Sequence, residues 1–198
     1  MDSQLYEWIN HLADATSWAH PPMTAFAELG IGLFAVLLIA AFLDGRRRGD
    51  LHRVATAIWA GGSAIVALAA AAAIGGLVGR ARPFDTIAGA HVLIARSSDV
   101  SFPSDHATAV GAIAVALLVG RHRRTGTVAV VAAVVMAFAR VYVGVHYPGD
   151  VVAGLALGAV VAVIGTVVVV PVLVRIISAI ARSPMRRAVT TCPALLLP

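Results

Sequence analysis

Three short polar segments interrupt an otherwise apolar chain, and they hold most of its reactive side chains. They are Arg80-Ala-Arg-Pro83, Phe102-Pro-Ser-Asp-His106, and the stretch from Arg140 to Asp150 that includes His146. His146 and Asp150 are four residues apart. A carboxylate bonded to one imidazole nitrogen fixes the tautomer and leaves the other nitrogen basic and nucleophilic. An ordinary His–Asp pair at a helix start has the same spacing. Pro103-Ser104 before an apolar run reads as a helix N-cap. The free N–H groups of such an end also bind anions, so the Ser104 hydroxyl and the amides of Asp105 and His106 suit either task. By residue type, Asp105, His106, His146 and Asp150 also suit a metal ion. Arg80, Arg82 and Arg140 would repel a cation, so the reading expects no metal and favours an anion such as a phosphate.

The elements that position these segments read as membrane helices. Of 198 residues, 60% are hydrophobic and 13% charged, against about 45–50% and about 25% in soluble domains. That excludes a disordered chain, a collagen-like chain and an ordinary cytosolic domain. Five apolar segments stand out: Thr24–Leu43, Val54–Val78, Ser104–Val119, Thr125–Tyr142 and Val151–Val174. A span takes about 20 residues. The third segment is short, about 24 Å against a hydrocarbon core of about 30 Å. Its outer end is expected slightly below the surface, where a lipid phosphate reaches it sideways. Residues 1–20, with Leu5, Trp8, Ile9, Leu12 and Trp18, read as an interfacial helix. The expected fold is an all-α integral membrane bundle of about five transmembrane helices plus this N-terminal interfacial helix. It forms one domain over 1–182, with a loosely ordered cytoplasmic tail over 183–198. Gly61, Gly62, Ser63, Gly75 and Gly76 make the second span a candidate for close helix packing. Asp2, Glu7 and Asp14, with no arginine in the first twenty residues, argue against a cleavable signal peptide. Cys192 is the only cysteine, so no intrachain disulfide forms.

All fifteen basic residues are arginine. The absence of lysine excludes a lysine nucleophile, a Schiff base and a lysine phosphate clamp. The net charge of +5 is dispersed in runs between apolar segments, a membrane pattern rather than a nucleic-acid-binding one. With five spans, Arg46, Arg47, Arg48, Arg53, Arg121, Arg123, Arg124, Arg175, Arg182, Arg186 and Arg187 all fall on one side, expected to be cytoplasmic. The amino terminus and the loops 83–103 and 143–150 then face outward, with Arg80, Arg82, Arg96 and Arg140.

The ordered set Arg82-Pro83, Pro103-Ser104-Asp105-His106 and Arg140-(x5)-His146-(x3)-Asp150 resembles the type 2 phosphatidic acid phosphatase superfamily over residues 75–150. The resemblance implies that His146 attacks phosphorus and forms a phosphohistidine, and that Asp150 orients it. It implies that His106 is the general acid and then the base, and that Arg82, Arg140, Ser104 and the nearby amides clamp the phosphoryl oxygens. It implies no metal or other cofactor. Two positions depart from the family pattern: Gly75 stands where a lysine is usual, and Ala139 where a serine is usual. Arg80 is the expected replacement for the lysine's charge. Phe102-Pro-Ser-Asp-His-Ala-Thr108 is similar to the bacitracin-resistance type of undecaprenyl pyrophosphate phosphatase, with Asp105 where most of the superfamily has glycine. Asp105 is therefore placed with the phosphate-site residues, paired with Arg80 or Arg82 or positioning water. This likeness implies hydrolysis of undecaprenyl pyrophosphate to the monophosphate and phosphate, at the outer face of a bacterial plasma membrane, in cell-wall synthesis. The alternatives are a phosphatase of phosphatidic acid, phosphatidylglycerol phosphate or another polyprenyl phosphate, and a phosphotransferase passing the group from His146 to an acceptor. A lipid or anion transporter is the non-enzyme alternative, and it would not need the His146–Asp150 pair. The expected partners are the lipid substrate and the bilayer, with no nucleic acid.

Overall fold

The computed structural model describes residues 1–191. All regular structure among them is helical. Helix α1 (Asp2–Ala15) is two-faced: Tyr6, Ile9, Asn10 and Ala13 are buried, while Leu5 and Trp8 are exposed. Helices α2 (His20–Leu29) and α3 (Ile31–Arg48) meet at a 55° bend. Gly30 sits at the bend because any Cβ there would collide with the Phe26 carbonyl oxygen and lie 2.7 Å from Met136 Cε. Helix α4 (Leu51–Val78) starts on Asp50, whose side chain accepts the Arg53 N–H at 3.0 Å. It ends on Gly79 at a φ of +60°, a left-handed cap that glycine adopts without strain. A single turn, α5 (Pro83–Thr86), opens the long loop.

Helix α6 (Asp105–Val119) is the centre of the bundle, packed by α4, α7 (Arg123–Tyr142) and α8 (Pro148–Val168). Helix α9 (Val170–Ala181) follows a break at Val169, where Pro171 has no N–H to give the preceding turn. Three stretches are long and apolar enough to cross a bilayer: Leu51–Thr86, Arg123–Tyr142 and Pro148–Val168. The bent α2–α3 pair would make a fourth. The integral-membrane helical bundle therefore stands, and three to four of its helices meet the length and apolarity of a span, where about five are expected. The difference lies in α6, whose fifteen residues reach about 22 Å; Val151–Val174 divides at Val169, and its first part still lies in a full-length span.

Of the small residues expected in close packing, Ser63 is buried and Gly75 is tightly packed against the 83–103 loop, but the tightest helix–helix contacts use other glycines. Gly61 and Gly76 meet little, whereas α8 runs against α6 on Gly154 and Gly158. A Cβ at Gly154 would lie 2.7 Å from the Ser104 carbonyl oxygen, and one at Gly158 would collide with that of Thr108. Gly165 accommodates the Trp59 indole, whose Nε1 donates to the Ala162 carbonyl at 3.1 Å.

The two ends of the bundle are tied separately. At one end Tyr6 Oη donates to the Gly144 carbonyl at 3.1 Å, and Asn10 exchanges two 2.8 Å bonds with the His91 backbone. At the other, the His122 ring meets the Arg53 carbonyl at 3.0 Å and Thr56 Oγ1 donates to the Gly120 carbonyl at 3.0 Å. The α1 helix and the loops 83–103 and 143–147 thus share one end, as their expected common face requires. The tail expected to be loose from 183 forms a short 3-10 turn over Pro184–Ala188, and the Thr191 N–H reaches the Arg46 carbonyl at 3.2 Å. Cys192 and the rest of that tail lie outside the described residues.

Candidate active site

The starts of α6 and α8 are joined directly, because the Ser104 N–H donates to the Asp150 carbonyl at 3.1 Å. That bond brings the second polar segment against the third. The first joins them through Arg82, whose Nε donates to the Asp99 carbonyl at 2.9 Å and whose Nη1 donates to the Val145 carbonyl at 3.0 Å. The result is a cavity of about 180 Å³ lined by Arg82, Ser97, Asp99, Asp105, His106, Arg140 and His146, with Val100 and Pro103. A larger cavity of about 740 Å³ lies at the opposite, arginine-rich end, around Asp44, Arg53, His122 and Arg124. It holds none of the three motif segments.

His146 is 3% exposed. Its Nδ1 lies 2.8 Å from the Ser101 carbonyl oxygen. A carbonyl only accepts, so Nδ1 carries the proton. On the other side, Arg82 Nη1 donates toward Nε2 at 3.4 Å. Both contacts demand the same neutral tautomer, with the lone pair on Nε2. Burial above all holds the imidazole below the usual histidine range; the adjacent Asp150 opposes it, and the charges of Arg140 and Arg82 add to it. At neutral pH the ring is therefore an uncharged nucleophile or base.

Asp150 supports this ring less directly than the four-residue spacing implies. Its carboxylate oxygen is 3.8 Å from Nδ1, beyond hydrogen-bond length. The Ser101 carbonyl sets the tautomer, and Asp150 contributes a nearby negative charge. The carboxylate is fully buried. It accepts from Ser101 Oγ at 2.5 Å, the Tyr147 N–H at 2.9 Å and Arg80 Nη1 at 2.7 Å. A buried carboxylate requires such pairing. Ser101 is the functional residue that the sequence reading missed. It precedes the motif segment by one residue, and its main contribution is a backbone oxygen.

Arg80 departs from its expected role. Its guanidinium does not line the cavity; it bridges Asp150 and Asp2 Oδ2, the latter at 2.6 Å, and lies 3.9 Å over the Tyr147 ring. The position of the family lysine is closed as well: a Cβ at Gly75 already lies 3.0 Å from the Phe102 carbonyl oxygen and 3.0 Å from Val100 Cγ2. Asp105 lines the cavity but forms no ion pair with Arg80 or Arg82 among the described residues. The Ser104 hydroxyl makes no cap bond, and its Oγ is buried without a partner among the described residues, as is Arg140 Nε. Arg140 Nη1 donates to the Ala27 carbonyl at 3.2 Å. Buried donors without partners are costly; Arg140 lines a cavity walled by two guanidinium groups, a setting that suits an anion, while Ser104 is not in the lining itself but lies between Pro103 and Asp105, which are.

A family model described as the PAP2 superfamily matches residues 56–173, more than half of the chain. The chain is 32% identical over 157 residues to "Undecaprenyl-diphosphatase BcrC" of Bacillus subtilis, covering 78% of this chain and 77% of that protein. It is 40% identical over 166 residues to "Decaprenylphosphoryl-5-phosphoribose phosphatase" of Mycobacterium tuberculosis, covering 83% and 84%. In three dimensions it resembles the crystal structure of Aquifex aeolicus LpxE, with a TM-score of 0.63, 25% identity, and coverage of 81% of this chain and 92% of that one.

Proposed function

The chain belongs to the PAP2 superfamily of membrane lipid phosphatases, and from that premise we propose that it removes the terminal phosphoryl group of undecaprenyl pyrophosphate through His146. The observation that carries the reading is the forced tautomer of His146, with its Nε2 lone pair beside Arg82 in the cavity that His106 and Arg140 also line. In the first step Nε2 attacks phosphorus and the bond to the leaving lipid-phosphate oxygen breaks, while His106 donates a proton to that oxygen. In the second, water attacks the phosphohistidine, His106 takes its proton, and the phosphorus–nitrogen bond breaks to release phosphate. Arg82, Arg140 and the Ser104 hydroxyl hold the equatorial oxygens as charge develops on them. Asp105, at the first turn of α6, faces the leaving group or the incoming water. The cavity end faces outward, because the opposite end carries the three arginine clusters. The site is then at the outer face of a bacterial plasma membrane.

A second reading has its own support. The 40% identical relative is named for a polyprenyl-linked sugar phosphate. The cavity also presents the carboxylates of Asp99 and Asp105 beside the arginines, which would accept from sugar hydroxyls but repel a second phosphate. Purified protein in detergent, offered undecaprenyl pyrophosphate, decaprenylphosphoryl-5-phosphoribose, phosphatidic acid and phosphatidylglycerol phosphate, decides by rate of phosphate release. The first lipid is expected to turn over fastest, and His146→Ala is expected to abolish release. Preference for the ribosyl lipid selects the second reading; full turnover in His146→Ala removes the nucleophile assignment.

A further inference from the structure

Arg80 and Asp2 take no part in the chemistry above, yet both are built into the wall behind it. Asp150 is fully buried, and the one cation within hydrogen-bond distance of it among the described residues is Arg80. The other arm of Arg80 is held by Asp2. The remaining oxygen of Asp2 accepts the Gly149 N–H at 2.8 Å, in the first turn of the helix that carries Asp150. A Cβ at Gly149 would lie 2.9 Å from Asp2 Oδ2, so a side chain there would crowd the carboxylate. Arg80 also covers the ring of Tyr147, next to His146 in sequence. Tyr147 in turn packs on Tyr6 of α1 at 5.6 Å between ring centroids, and its hydroxyl lies 2.6 Å from Thr86 Oγ1. One connected set of contacts therefore runs from α1 to both residues of the His–Asp pair.

We propose that Asp2 and Arg80 are positioning residues of the reaction, and that α1 is part of the active site: the chain Asp2–Arg80–Asp150 places the carboxylate and the Ser101–Tyr147 frame that hold His146. This rests on the reading of His146 as the nucleophile. It assigns Arg80 a task different from that of a phosphate clamp, and the two tasks differ in kinetics. A clamp contacts substrate, so its loss raises KM and weakens inhibition by phosphate. A positioning residue contacts only protein, so its loss lowers kcat at nearly constant KM. Asp2 sharpens the contrast, since a clamp at Arg80 gives Asp2 no role in turnover.

The test uses the full chain in detergent, with Asp2→Ala, Asp2→Asn, Arg80→Gln, Arg80→Lys and the double variant Asp2→Ala/Arg80→Gln. Thermal melts identify any variant that fails to fold. Asp2→Ala and Arg80→Gln are each expected to lower kcat roughly tenfold, as small misplacements of a reacting group do. KM should hold, Arg80→Lys should recover part of the rate, and the double variant should lose no more than the worse single one. A second readout needs no turnover: titration of the His146 imidazole by NMR. The titratable and charged groups around it are Arg82, Arg140, His106, Asp99 and Asp105 on the cavity side, with Asp150, Arg80 and Asp2 behind. Removing the Arg80 charge should move the His146 midpoint to higher pH, and Arg80→Lys should return it. Full kcat in Asp2→Ala, a raised KM at unchanged kcat in Arg80→Gln, or an unmoved His146 titration would each overturn the proposal. A wild-type chain that hydrolyses none of the lipid phosphates overturns the functional reading instead, and the titration still reports on the wall.

Discussion

Asp150→Asn separates two ways in which a carboxylate can serve a histidine. If the carboxylate fixes the tautomer, its amide turns the ring to the wrong one, and losses near 10⁴-fold in kcat follow. Here the Ser101 carbonyl holds Nδ1–H at 2.8 Å while the carboxylate stands at 3.8 Å. The amide therefore leaves the tautomer in place and acts on the ring through the lost charge. Two unit charges 3.8 Å apart interact by about 4 kcal/mol at an effective dielectric constant of about 20. If roughly half a charge develops on the ring in the transition state, about 2 kcal/mol is lost, which is about 30-fold in rate. The amide also meets two sets of donors, Arg80 on one oxygen and Ser101 with Tyr147 on the other. Either orientation sets an NH₂ against a donor, at about 1.5–3 kcal/mol for a bond to a charged group. The variant should melt several degrees lower in detergent yet stay folded. Single-turnover release of phosphate from the lipid reads the chemical step. A fall of 10- to 100-fold agrees with the geometry; a fall near 10⁴-fold, or none in a folded variant, refutes it.

Two further outcomes follow from the same structure. His146 is held below the usual histidine range by burial and by the arginine charges, and the ring must be uncharged to attack. The acid limb of kcat/KM is therefore expected below about pH 6.5, and a limb centred at pH 7 or above would contradict the assignment. Gly165→Ala places a Cβ inside the Trp59 indole; overpacking of this kind costs about 1–3 kcal/mol. Its detergent melting temperature should fall and recover when Trp59 is replaced by a smaller residue, and an unchanged melt would show that the indole moves freely.

The parts of this protein that were legible from sequence are those in which a side chain violates its surroundings. Arg82, Arg140 and His146 stand out because a charged or polar group in an apolar run needs a reason, and the structure brings all three to one cavity with His106. The less legible parts involve groups that violate nothing. Ser101 is an ordinary serine in a loop that holds other serines, and its contact with His146 uses an oxygen that every residue has. The contact from Asp2 to Gly149 joins positions 147 apart, and no local periodicity encodes it. Arg80 is legible as a charge, but charge alone does not say whether it faces the cavity or Asp150. The length of the membrane helices was less legible: α6 has only fifteen residues and α2–α3 bends by 55° at Gly30, so three to four helices meet the length of a span where about five are expected.

The glycine contacts between α6 and α8 have a consequence for the enzyme in membranes of different thickness. The two helices run side by side from the same end, joined at the top by the Ser104–Asp150 bond and lower down by Gly154 against Ser104 and Gly158 against Thr108. Slipping one helix by a turn would displace its catalytic residue by about 5.4 Å, and backbone contact at three levels prevents that. Hydrophobic mismatch tilts helices at modest cost, but here it must tilt the pair as one body. His106 and Asp150 then travel together, so the catalytic geometry is carried unchanged through a thin bilayer or a thick one, and only the depth at which a lipid meets it varies.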